Sequence, residues 1–294
     1  MSIGTPPSAP GGRPTLATDA IGAVGVAYYW ELRKILAQKR AWLGFAAAAL
    51  VPLFFLVSID ISAVTPNDGA YADALGANLK HTGLAIAPVT LDEMTVIGPA
   101  ILAALIAGDI VASEDMAGTL KTILVRSLRR RHVLTGKALA VVTYLIAALL
   151  AFTVVGELAG TIVWGFHPLT NDSGTRLSAV HGLALTLAAF ALYLAPFLAI
   201  AAFALFLSVL TRNSVASVVA TLLYTVALQG LSSIGAIKGI HPYLVVNQFT
   251  AWHGLFTTPT DWGTIVRSLW DSALFAIPPL IAAWIMFQRR DVDT

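Results

Sequence analysis

The sequence has no cysteine, so disulfides and thiolate metal sites are excluded. It is also short of charge. Asp, Glu, Lys and Arg make up 12% of the chain, against about 25% in soluble domains. Too few charged groups are present to cover a water-soluble surface. What replaces them is apolar: 57% of the 294 residues are hydrophobic, and the mean hydropathy is +0.78. Lipid is the solvent that suits such a chain. A spanning helix takes roughly 20 residues to cross a hydrocarbon core about 30 Å thick, which leaves room for about six spans.

Residues 1–20 are rich in Pro, Gly, Ser and Thr and read as a disordered tail. A cleaved signal peptide is not expected, because Arg13 is the single basic residue ahead of the first apolar run. Residues 21–40 mix Tyr28, Tyr29 and Trp30 with Glu31, Arg33, Lys34, Lys39 and Arg40. This pattern predicts an elbow helix lying in the membrane interface. A six-span transmembrane domain follows over 41–290. The spans are expected at 41–59, 91–111, 138–158, 182–210, 214–234 and 268–287, with short outer helices before the last. The fold class is thus an all-α integral membrane protein.

Orientation follows from the basic residues. Fourteen of the eighteen Lys and Arg fall on the side of the two termini and of the loop after the second span. That side is expected to be cytoplasmic, with the chain multi-pass in a bacterial-type plasma membrane.

That loop, within residues 108–137, orders its charges. Asp109, Glu114 and Asp115 come first. Gly118-Thr119-Leu120 follows, then Lys121, Arg126, Arg129, Arg130, Arg131 and Lys137. Leu120, Ile123, Leu124 and Leu128 share one helical face, so a short amphipathic helix is expected here. A basic loop alone would fix only topology. The run Glu114-x-x-x-Gly118-Thr119-Leu120, then Leu124, Arg130 and Gly136-Lys137, goes further: it resembles the signature of ABC transporter permeases of the second type. Ser127 stands where that family usually carries proline.

The resemblance implies the transmembrane half of an ATP-driven transporter, usually an exporter. It implies a second permease subunit, as homodimer or heterodimer, and two copies of an ABC ATP-binding subunit. Segment 113–137 becomes the coupling element, with Glu114, Gly118, Thr119, Leu120, Arg130 and Lys137 at or beside the ATPase contact. Glu31, Arg33 and Lys34 of the elbow are expected to contribute. ATP and Mg would be held by the partner, since the chain has no phosphate-binding loop of its own. Around Gly136-Lys137, Arg131 stands where the first glycine should be and Ala138 where Ser or Thr should be. An apolar or amphipathic cargo, such as a lipid or drug, fits spans without rows of ionisable groups.

Other polar residues carry weaker signals. Glu157, within Gly156-x-x-x-Gly160, is a candidate intramembrane polar site or a residue reaching the outer interface. Asp271 reads as a dipole-stabilising carboxylate in the first turn of the last span. His241 and His253 lie twelve residues apart, without metal-ligand spacing, and with nearby Trp and Tyr they read as an outer cap. No catalytic residue, no metal and no nucleic-acid partner is expected. A membrane enzyme would need convergent acids and histidines in the spans. An ion-coupled transporter would need paired intramembrane charges and broken repeats. A non-transporting sensor or scaffold stays open as well.

Overall fold

A computed structural model describes residues 16–61, 75–94, 97–118 and 129–289, of which 16–21 as backbone only. Five of its helices are long and apolar enough to cross a membrane. They are α2 (Lys39–Ile61), α6 (Arg130–Trp164), α7 (Ala179–Thr211), α8 (Ser214–Ser232) and α9 (Trp262–Gln288). The other α-helices are α1 (Leu16–Leu36), α3 (Ile86–Glu93), α4 (Ile97–Ile106) and α5 (Ala112–Met116). The architecture is that of a helical membrane protein. One small exception to an all-α chain is a hairpin in which β1 (Leu169–Thr170) pairs antiparallel with β2 (Arg176–Leu177).

α7 is the central post. Two thirds of its apolar window is buried, against about one sixth for α8 and α9. Ala189, Phe190, Tyr193, Phe197, Ile200 and Ala204 point into the core. Small and aromatic side chains mix there, so neighbouring helices pack closely. α8 and α9 turn Leu223, Val226, Trp270 and Leu274 outward. A lipid-facing helix does so without penalty, since lipid is as apolar as leucine.

The single span expected over 91–111 is instead a bent pair. The 83–93 helical stretch and α4 meet at 70°. Pro88 and Pro99 each fall in the first turn of their helix, the one place where a proline's missing N–H costs nothing. The two prolines thus start two helices where hydropathy reads one run. α4 then ends in a turn over 107–111 that leads into α5. α1 begins at Leu16, inside the stretch read as a tail, and packs along α6. Their crossing needs Gly136: a Cβ there would lie 2.7 Å from the Cβ of Ala27 and 2.8 Å from the Tyr28 nitrogen.

The chain reverses at two ends. One holds α1, α5, the 107–118 turn and the start of α6; it is called the basic end below. The opposite end holds the hairpin, the 75–85 segment and a 3-10 run, Val245–Leu255; it is called the cap.

Candidate functional site

On α6, Val133, Lys137, Ala140, Val141 and Tyr144 lie on one buried stripe. Lys137 is thus a cation on an apolar face, fully enclosed. A buried ammonium must be paired, because its desolvation is expensive. On α1, Ala27, Glu31 and Ile35 recur every four residues and are buried, which places a carboxylate on the face turned to α6. Glu114 of α5 supplies a second.

These side chains meet. The Lys137 ammonium lies 3.0 Å from Glu31 Oε2 and 2.7 Å from Glu114 Oε2. Both contacts are ion pairs by distance; its well-angled hydrogen bond is donated to the carbonyl of Ile110, at 3.1 Å. Lys34 closes the ring, 3.0 Å from Glu31 Oε1 and in direct contact with Glu114 Oε1. Two ammonium groups and two carboxylates form a neutral tetrad that joins α1, α5 and α6. Burial alone would raise the Glu114 pKa, but Lys137 and Lys34 hold its carboxyl below the usual range. Burial pulls Lys34 down; the charges of Glu114 and Glu31 outweigh it and raise the pKa.

The turn before α5 is anchored from all sides. Asp109 pairs with Arg40 of α2 and accepts from the Ser214 hydroxyl at the start of α8. Ser208 of α7 accepts from the backbone N–H of Val111 and of Ala112, at 3.1 and 3.0 Å. It thereby satisfies amides that a helix start leaves open. A polar gap of about 60 Å³ lies between the Arg40–Asp109 pair and the tetrad. Arg130 donates to the Gln288 carbonyl at the end of α9, at 3.1 Å, where a cation suits the helix dipole. Every descending or ascending element of the basic end is therefore tied to residues 107–116 or to the start of α6.

The profile of a family described as "Protein of unknown function (DUF2705)" matches residues 45–292. The chain belongs to that family. No curated protein matches it.

In this DUF2705 chain the residues expected at a partner contact separate into two groups. Glu31, Glu114 and Lys137 are buried and face one another, so they form an internal joint. Arg33 is exposed and Arg130 half-buried. Gly118 ends α5 with φ +66°, the left-handed conformation that glycine adopts at helix ends. Thr119, Leu120 and the amphipathic helix expected over 120–128 lie outside the described residues. Ser208 and Ser214 carry no local mark in the sequence, since each acts across 96 residues or more, whereas Arg40 stands out there only as a basic residue of the elbow.

The cap of the DUF2705 chain has its own cluster. His253 Nε2 lies 3.0 Å from Asp92 Oδ1 on α3, and Nδ1 lies 3.4 Å from Asp172 Oδ2 in the hairpin loop. Both partners are acceptors, so both ring nitrogens carry protons. Burial lowers the His253 pKa, but the bonds to Asp172 and Asp92 and their charges raise it further, to about 9. Asn78 donates to the Thr170 carbonyl and accepts from its N–H, each at 2.8 Å. The Gly83 Cα position abuts Gly160, where a Cβ on Gly83 would fall 2.1 Å from the backbone carbonyl carbon. His241 bonds to the Ile234 carbonyl, and no group of three metal-ligating side chains occurs among the described residues.

Glu157 is 8% exposed, and neither carboxylate oxygen has a hydrogen-bond partner among the described residues. Asp271 sits in the third turn of α9, because Asp261 caps that helix earlier by accepting from the Thr264 N–H.

Proposed function

We propose that the chain is the membrane-spanning permease subunit of an ATP-driven ABC transporter. It works with two copies of a separate ATP-binding subunit and pairs with a second permease subunit, like or unlike. In this reading the bent pair is the second of six spans, and α1 is the interfacial elbow. The basic end and both termini face the cytoplasm of a bacterial-type cell. The cargo is apolar or amphipathic, and the direction is export.

The observation that carries the reading is the tetrad. It sits where the motif resemblance places the coupling element, and it binds the elbow, the segment before residues 119–128 and the start of the longest helix into one unit. A push on 119–128 from a closing ATPase dimer is then felt by α1, α5 and α6 together. Contact with the ATPase falls to the segment 119–128 and to exposed Arg33, Arg129 and Arg131. Glu31, Glu114 and Lys137 transmit motion and do not dock.

The test is co-purification with a P-loop ATPase encoded beside this chain. Arg129→Glu with Arg131→Glu should abolish co-purification while the chain stays folded. Glu114→Gln should leave the complex intact and uncouple ATP hydrolysis from export in inverted vesicles. Retention of the ATPase by the double arginine variant would remove the coupling assignment.

One observation favours a second reading, an ion-coupled transporter: the buried Glu157, which has no hydrogen-bond partner among the described residues. In that case uptake in ATP-free proteoliposomes would follow an imposed proton gradient, and Glu157→Gln would stop it.

A further inference from the structure

A cavity of about 250 Å³ opens on the side of the bundle at the break between α3 and α4. Its mouth lies between α2, at exposed Ala47, and α4, at Ile97 and Ile101, both of which also face outward. Its floor is Ala148, Phe152 and Phe197. The hydroxyl at the lining belongs to Tyr193 and is turned to the Met94 carbonyl at 3.4 Å. Water needs two or more polar partners to stay in such a space, and a headgroup needs more. An apolar void of this size left empty forfeits the dispersion contacts of its whole lining. Hydrocarbon is the occupant that such a lining suits.

Depth identifies its source. Ala47 lies eight residues into α2 from Lys39, about 12 Å along the axis. Ala148 lies eleven residues past Lys137 on α6, about 16 Å. Half of the hydrocarbon core is about 15 Å. The cavity therefore sits near the midplane of the core, within reach of the acyl tails of the basic-end leaflet. Lys39, exposed at the start of α2, stands at headgroup depth on the helix that forms one side of the mouth.

We propose that this cavity is a phospholipid acyl-chain site: a lipid of the basic-end leaflet inserts one tail between α2 and α4, against Phe152 and Phe197, with its phosphate at the level of Lys39. The site requires only a bilayer, and neither an ATPase partner nor a cargo assignment.

The experiment uses the full chain in vesicles doped with a phospholipid that carries a photoreactive diazirine near the end of one tail. Peptide mass spectrometry should find labels on 97–102 and 148–152 several-fold above those on the lipid-facing residues Leu269 and Leu274 of α9. Ala148→Phe, which fills the floor, should bring the lining down to the α9 level and leave α9 unchanged. Ala47→Trp obstructs the mouth at an exposed position, and it should do the same if Ala148→Phe does not fold. A diazirine on the headgroup should label near Lys39 and spare the lining. Lining labels no stronger than those on α9, or labels that persist in the Ala47→Trp chain, would overturn the site. Labelling without nucleotide or partner keeps this outcome separate from the fate of the transporter reading.

Discussion

The two ends of the bundle are fastened by opposite means. At the basic end, long charged side chains bridge the helices, beside the close α1–α6 crossing at Gly136: Lys137 to Glu31 and Glu114, Arg40 to Asp109, Arg130 to the end of α9. At the cap, backbones meet directly at Gly83 and Gly160, and the short Asn78 and Thr82 side chains pair with main chain. His253 with its two aspartates is the cap's charged clasp. Long side chains can follow a small shift of their partners by changing rotamer. Two apposed glycine backbones cannot. The basic end is thus held mainly by adjustable charged groups, and the cap mainly by fixed backbone contact.

Three measurements of thermal unfolding in detergent probe that contrast. The largest effect belongs to Lys137→Met. Removing the enclosed cation leaves Glu31 and Glu114 to share the single Lys34 ammonium, and breaking a buried pair costs about 3–5 kcal/mol. Adding Glu31→Gln, which leaves Lys34 paired with Glu114, should recover most of the loss, because the penalty comes from unpaired charge. A neutral Lys137→Met would show that the basic end does not depend on its tetrad. Next comes Gly160→Ala, whose Cβ would stand 2.3 Å from the Gly83 carbonyl oxygen. Overpacking of this kind costs about 1–3 kcal/mol, and a tolerated alanine would mean that the cap can give.

The smallest effect is the pH dependence of the clasp. The folded pKa of His253, about 9, stands above the ordinary imidazole value of 6.5. Its contribution is therefore complete below about pH 6.5 and lost as pH rises through about 9. With the ring partly exposed, the step is on the order of 1 kcal/mol, and His253→Gln should erase it.

Much of this was legible in the sequence, and the misses have physical causes. The helices that cross the bundle follow from long apolar runs. Glu31, Lys34, Glu114 and Lys137 stand out by charge and position, yet charge alone does not tell a docking surface from an internal joint. The stripe tells them apart: Lys137 shares a face with Val133, Ala140 and Val141, and Glu31 with Ala27 and Ile35. A charge at an apolar position on a helix is a charge turned inward. The bend after α3 was written in Pro88 and Pro99, but hydropathy averages over prolines. The clasp could not be read at all, since Asp92 and Asp172 reach His253 over 161 and 81 residues. No local pattern encodes such pairing.

α6 runs for 35 residues without an interruption, about 52 Å at 1.5 Å per residue. That exceeds a hydrocarbon core of about 30 Å, so the helix is a continuous strut longer than the core it would cross. It carries Lys137 near one tip and Gly160 near the other. With the far tip pinned, a tilt imposed at the near tip becomes a pivot about the glycine contact. The sideways travel is then greatest beside the charged residues and smallest beside Gly160.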